Sequence, residues 1–237
     1  MTEEFPIRLY AADVSELADA DLYVKAYAAV SDERKAKTDR FTFPEGKYRS
    51  LGVELLLRLG LLDLGADSKK LNLSYGEMRK PYLADRPEIQ FNQSHSGTYA
   101  ICAFSKSAVG CDVERMSRCD LAVARRFFFA GEYDSILARK TTDEQKTQFF
   151  RLWTMKESFM KATGLGLSLG LKNFEIFPDG DVISVKQTAD SNEWHFHEYS
   201  FDDEYACTVC ALSDSFEKEV RVVSIKDVVE RVGMYYL

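Results

Sequence analysis

Apolar residues recur three and four apart through 48–65, YRSLGVELLLRLGLLDLG, a spacing that predicts a helix stopped at Gly65. Ahead of it the charged stretch 31–41, SDERKAKTDRF, opens on Ser31, a good N-cap, and predicts another helix, with a turn at FPEGK between the two. The first third is therefore expected to be largely helical. From residue 71 the period shortens: LNLSYGEMRKPYL breaks into strand-like pieces with turn residues. Within 89–116, two runs rich in Ile, Val, Phe and Tyr flank Lys106 and Ser107 and predict a hairpin. Helical spacing returns over 119–139 and 143–163, the second ended by GLGLSLG. The tail alternates in FEIFPDGDVISVKQ, EWHFHEYSF and YACTVCAL, a meander of antiparallel strands. Helices then strands, twice over, predict an α+β protein of two similar halves, 1–108 and 109–237, with the boundary inside 105–118. No residue-level repeat or low-complexity linker divides them, so the halves are expected to pack tightly.

Composition narrows the class without naming a chemistry. The 237 residues are 46% apolar and 29% charged, enough to bury a core without disulfide or metal staples. The N-terminus MTEEFPIRLY lacks a basic, then apolar, leader pattern, and no apolar run nears the roughly 18 to 20 residues of a membrane span. A cytoplasmic protein with no membrane partner is the expectation. A net charge of −7 argues against a general nucleic-acid binder but leaves room for a local basic pocket. Five cysteines, at 102, 111, 119, 207 and 210, are expected to be reduced. Cys207 and Cys210 form a C-x-x-C inside a strand-like run with no second pair beside it, which reads as two structural thiols.

Candidate chemistry begins with VGCDVERM, where Asp112 and Glu114 project from one face of a strand and Val113 from the other. Alone, a solvated strand end is the plainer reading. Glu157 would add a third oxygen donor, and three such donors suit Mg²⁺, a hard ion that takes further ligands from water and phosphate. Glu157 and Lys161 share a helical face and by themselves make an ordinary pair worth about 0.2 to 0.5 kcal/mol. Trp153, Phe159 and Met160 read as core. In FNQSHSG, His95 stands between Ser94 and Ser96 at a turn, either as a phosphate donor or acid–base group or as a histidine satisfying a loop carbonyl. His195 and His197 alternate on a strand without further ligands. Arg34, Lys35, Lys37, Arg40, Lys47 and Arg49 fit a solvated helical face, yet a pocket for several phosphates would draw such cations, with Lys80, from separate segments.

Taken in order over about 30–230, these pieces resemble the surfactin-type class of 4′-phosphopantetheinyl transferases. Gly110, Asp112 and Glu114 match its G-x-D-x-E; Trp153, Lys156, Glu157, Ser158 and Lys161 match its W-x-x-K-E-S-x-x-K; FNQSHSG and KPYL precede them in the family's order. The resemblance implies transfer of the phosphopantetheine arm of coenzyme A to a serine of an apo acyl or peptidyl carrier protein, releasing 3′,5′-adenosine bisphosphate. It also implies a pseudo-dimer of two α+β halves with antiparallel sheets and the active site between them. Asp112, Glu114 and Glu157 would hold Mg²⁺, or Mn²⁺, against the pyrophosphate, with Glu157 also a candidate base. Lys161 would neutralise pyrophosphate charge, with Lys156 beside it. Ser94 and His95 would meet the 3′-phosphate end of coenzyme A with Arg34, Lys37, Arg49 and Lys80. A monomer is expected, since one chain already supplies both halves. One departure stands out: Arg79 occupies the place of the family's usual glycine before Lys80. Two alternatives remain open, a silent module of the same fold that only grips coenzyme A or a carrier, and another Mg²⁺-dependent phosphate enzyme, although no P-loop is present.

Overall fold

Strand β1 (Arg8–Asp13) divides its side chains between two cores, Tyr10 and Ala12 entering one and Leu9 and Ala11 the other. That alternation is the key to the layering. The computed structural model describes residues 5–66, 71–76, 78–180 and 182–236. After β1 come α1 (Ala20–Ala28), α2 (Asp32–Thr38), α3 (Pro44–Asp63), β2 (Leu73–Tyr75), β3 (Pro81–Leu83), β4 (Gln90–Ser96), β5 (Tyr99–Ser105) and β6 (Val109–Arg115). Then follow α4 (Leu121–Phe127), α5 (Ala130–Leu137), α6 (Thr142–Thr163), β7 (Phe174–Asp179), β8 (Val182–Gln187), β9 (His195–Glu198), β10 (Tyr205–Ala211), β11 (Arg221–Val222) and α7 (Ile225–Tyr236).

The two larger sheets run β11-β1-β5-β4 and β6-β10-β9, β2-β3 and β7-β8 form two-stranded ribbons, and the described strands all pair antiparallel except β1 with β11. The sheets face each other across Leu9, Ala11, Ile101, Ala103, Val109, Cys111, Val113, Cys207 and Val209. Outside the first sheet, α3 and α7 pack Leu55, Leu56, Val228 and Val232 against Tyr10, Cys102 and Phe104. Outside the second, α6 packs Met155, Phe159 and Met160 against Phe196, Ala206 and Cys210. The α+β expectation, two sheets each backed by a long helix, holds. Cys207 and Cys210 point to opposite faces of β10 and all five cysteines are free.

Several expectations for individual elements change. Ser31 caps α2 by accepting from the Arg34 amide, as read, but FPEGK is no separate turn, because Pro44 begins α3. The hairpin lies at Gly97–Thr98, joining β4 to β5. At Lys106–Ser107 the chain instead crosses from one sheet to the other, and β6 pairs with β10. The expected 119–139 helix is broken at Phe128 and Phe129, both in extended conformation. β1 and α7 were absent from the sequence reading. β11 and α7, which the expected division at 108/109 assigns to the second half, join the first sheet and its helices. No helix among the described residues is long and apolar enough to cross a membrane.

Candidate active site between the two sheets

β4 and β6 are edge strands of the two facing sheets, and period-two alternation on each brings two polar pairs together. Ser94 Oγ donates to Asp112 Oδ1 at 2.9 Å and Ser96 Oγ to Glu114 Oε2 at 2.7 Å. Further along the same two strands, Asn92 Oδ1 accepts from the Cys111 amide at 2.9 Å, so the sheets are stitched by side chains where backbone pairing stops. Helix α6 lies directly over β6, and Gly110 makes that approach possible. A Cβ at Gly110 would sit 2.1 Å from the Ser158 carbonyl oxygen and 2.3 Å from the Ala162 nitrogen. From α6, Lys161 Nζ reaches Asp112 Oδ1 at 2.6 Å, Ser94 Oγ at 3.0 Å and the Cys111 carbonyl at 3.2 Å.

The electrostatics are those of an acid cluster short of cations. Asp112 is 3% exposed, and its Oδ2 is buried with no hydrogen-bond partner among the described residues. Burial raises the Asp112 pKa, opposed by Lys161. Burial, then the Asp112 charge, raises that of Glu114. Glu157, which makes no hydrogen bond among the described residues, is pushed up to about 7 by burial and by the charges of Asp112 and Glu114, against Lys161. Burial works against the Lys161 ammonium, but Asp112, Cys111 and Glu157 together outweigh it and the pKa is raised. Three carboxylates with raised pKa values, Asp112 lifting Glu114 and both lifting Glu157, one of them with an orphaned buried oxygen, have the chemistry of a hard-cation site. Their side chains do not converge on one point: no group of three metal-ligating side chains is gathered among the described residues.

Beside this cluster opens a cleft of about 360 Å³ lined by Arg34, Lys37, Tyr75, Arg79, His95 and Lys161, among others. Buried Glu54 organises its wall, accepting from the Ser31 amide and hydroxyl at 2.7 and 2.8 Å and from Arg34 Nε at 3.3 Å. His95 turns away from the serines toward the α3 side and is open to the cleft. Desolvation, then Arg49, Lys161 and Lys37, bring its pKa down to about 4. Solvent access softens the first of these effects, yet the three cations act in the same sense, and the imidazole is neutral at pH 7. Lys37 is lowered by burial and then by Arg34.

Not every expected cation reaches the cleft. Arg49 Nη1 is held by the Gly97 carbonyl at 2.8 Å and acts on His95 only through its charge. Lys80 Nζ donates to the Val109 and Ala162 carbonyls at 2.9 and 3.1 Å and lines a neighbouring cleft, a strut between β6 and α6. Burial brings its pKa down to about 8. Lys156, fully buried, is brought to neither cleft: Nζ donates to both Glu132 oxygens at 2.7 and 2.9 Å and to the Phe174 carbonyl at 2.9 Å, over the Phe174 ring. At i and i+5 on α6, Lys156 and Lys161 point to different sides of the helix.

Two family models divide the chain between them: "4′-phosphopantetheinyl transferase, N-terminal" matches residues 18–107 and "4′-phosphopantetheinyl transferase superfamily" residues 108–210. The 4′-phosphopantetheinyl transferase Sfp of Bacillus subtilis is 36% identical over 201 residues, 84% of this chain and 89% of that protein. The chain belongs to the 4′-phosphopantetheinyl transferase family. The gsp transferase of Aneurinibacillus migulanus is 33% identical over 187 residues, 78% of each chain. The solved holo-[acyl-carrier-protein] synthase of Thermotoga maritima aligns with 44% of this chain and 61% of its own, at 24% identity and a TM-score of 0.38.

Within this 4′-phosphopantetheinyl transferase, Ser96, Asn92, Tyr75 and Glu54 were missed from sequence. Ser96 had a legible signal, since serines at i and i+2 on one strand mirror acids at i and i+2 on another. Glu54 had one too, a lone acid within the apolar run of α3. Tyr75, whose hydroxyl donates to Glu33, had none.

Proposed function

We propose that this transferase moves the 4′-phosphopantetheine arm of coenzyme A to a serine hydroxyl of an apo acyl or peptidyl carrier protein. The observation that carries the reading is the buried Asp112, with Oδ2 unpartnered, at the seam of two sheets, beside Glu114, Glu157 and Lys161 and next to a cationic cleft. In the transfer the serine oxygen bonds to the phosphorus bearing the pantetheine arm. The bond from that phosphorus to the oxygen on the adenosine side breaks, and 3′,5′-adenosine bisphosphate leaves with the electron pair. The serine proton passes to Glu157, directly or through water, a carboxylate placed to take it. Lys161 offers positive charge to the diphosphate as its bridging bond breaks, and Arg34, Lys37 and the neutral His95 N–H bind the phosphates farther along the cleft, fixing the reacting end in place.

Asp112, Glu114 and Glu157 would hold Mg²⁺, with Mn²⁺ as a substitute, and the ion would supply Lewis-acid charge neutralisation at the diphosphate. The orphaned Asp112 oxygen and the raised pKa values of the three acids support this set. The protein acts as a monomer, its active site lying between layers of a single chain.

The test is incubation with coenzyme A, Mg²⁺ and apo carriers from fatty-acid, polyketide and peptide assembly systems, read by intact-mass spectrometry. A mass gain of one phosphopantetheine arm, abolished by EDTA and restored by Mg²⁺, is expected. Tight coenzyme A binding with no gain on any carrier would instead identify a silent binding module.

A further inference from the structure

We propose that Arg79 is a specificity-determining residue of this chain, its guanidinium binding a phosphate group of coenzyme A in the cleft; the inference rests on the transferase reading above. Arg79 is the one non-glycine residue among those described with positive φ, at 61°. The β2–β3 connection demands it: the Gly76 amide donates to the Lys80 carbonyl at 3.0 Å and the Arg79 amide to the Gly76 carbonyl at 2.9 Å, closing a tight turn. A glycine would take that conformation without a Cβ clash. A strained residue retained in the wall of a ligand cleft points to a function for its side chain.

The surroundings say which function. Arg79 lines the same cleft as Arg34, Lys37 and Lys161, is exposed, and makes no side-chain hydrogen bond or ion pair among the described residues. Its neighbours are partly committed: Arg34 Nε to Glu54 and Lys161 to Asp112, Ser94 and a carbonyl. Lys80, the adjacent cation, is spent on two backbone carbonyls. Arg79 therefore holds a complete fork of donors facing a cleft otherwise suited to phosphates, a geometry that matches a phosphate bidentately.

The experiment compares the full chain with Arg79→Gly and Arg79→Lys, measuring coenzyme A affinity by calorimetry, kcat and KM by carrier labelling, and the thermal midpoint. The glycine variant relieves the strain, so its midpoint is expected to hold or rise. Its coenzyme A affinity falls and its KM rises, each by roughly tenfold, as the loss of one charge-assisted contact implies, while kcat stays within about twofold. Lysine restores part of the affinity. Repeating the measurement with 3′-dephospho-coenzyme A separates the sources: a loss confined to coenzyme A identifies the 3′-phosphate, and an equal loss with both identifies the diphosphate. Unchanged affinity and KM in a folded Arg79→Gly variant would overturn the inference alone. A wild-type protein that binds no coenzyme A would remove the transferase reading with it.

Discussion

Asp112 stands under opposed demands. Burial works against its charge, Lys161 and Ser94 compensate at one oxygen, and the other has no hydrogen-bond partner among the described residues. Asp112→Asn keeps the shape and removes the strain of charge, so transfer is expected to fall by at least about a hundredfold while the thermal midpoint holds or rises. A marked fall in midpoint would make the charge a structural one. His95 gives a pH signature. Its folded pKa, about 4, lies below the ordinary 6.5, so the unfolded chain binds the proton more readily between those values. The contribution is complete above pH 6.5 and is lost as pH falls toward 4. Urea midpoints measured across that window should drop less steeply in His95→Gln than in wild type; identical slopes would mean the imidazole is not desolvated or crowded by cations as described. The acids were legible because D-x-E and a K-E-x-x-x-K helix could be read against each other. The fate of Lys156 was not, because its partner Glu132 comes from another helix and no spacing links them.

Between elements, α6 approaches β6 closely, where Gly110 stands in place of any side chain. Gly110→Ala forces backbone against backbone and is expected to cost about 1 to 3 kcal/mol or more, read as a shifted urea midpoint. The effect on transfer should be larger than on stability, since the same shift carries Lys161 away from Asp112. Lys156 behaves oppositely. Lys156→Met strands Glu132 in a buried, aromatic setting and should cost about 3 to 5 kcal/mol, while the folded fraction keeps its KM for coenzyme A. A raised KM at unchanged stability would return Lys156 to the substrate site. Long apolar and helically spaced runs announced α3, buried on every side from Ser50 to Leu61, and α6. Lys106–Ser107 misled because a turn signal marks where a chain bends, not whether the next strand returns to the same sheet.

In the assembled molecule, β11 and α7 tie the end of the chain to its beginning. Ile225, Val228, Val229 and Val232 are fully or almost fully buried against α3 and the first sheet, each worth about 1.5 to 3 kcal/mol. Together they approach the whole stability of an ordinary domain. A chain ending at Ser224 is therefore expected to lose the first layer pair and with it the Arg34 and Lys37 wall of the cleft; far-ultraviolet circular dichroism and coenzyme A titration check this, and native-like spectra with retained binding would refute it.

Local patterning sufficed for the α+β class, for both long helices, and for the acids and cations in their motifs, because each depends on residues near one another in the chain. Folding settled what depends on distant partners: that Ser94 and Ser96 meet Asp112 and Glu114 across two sheet edges, that Lys80 bridges β6 and α6, and that Lys156 belongs to a core. Desolvation belongs to the same class, since the dryness that lifts Glu157 to about 7 exists only once α6 covers β6.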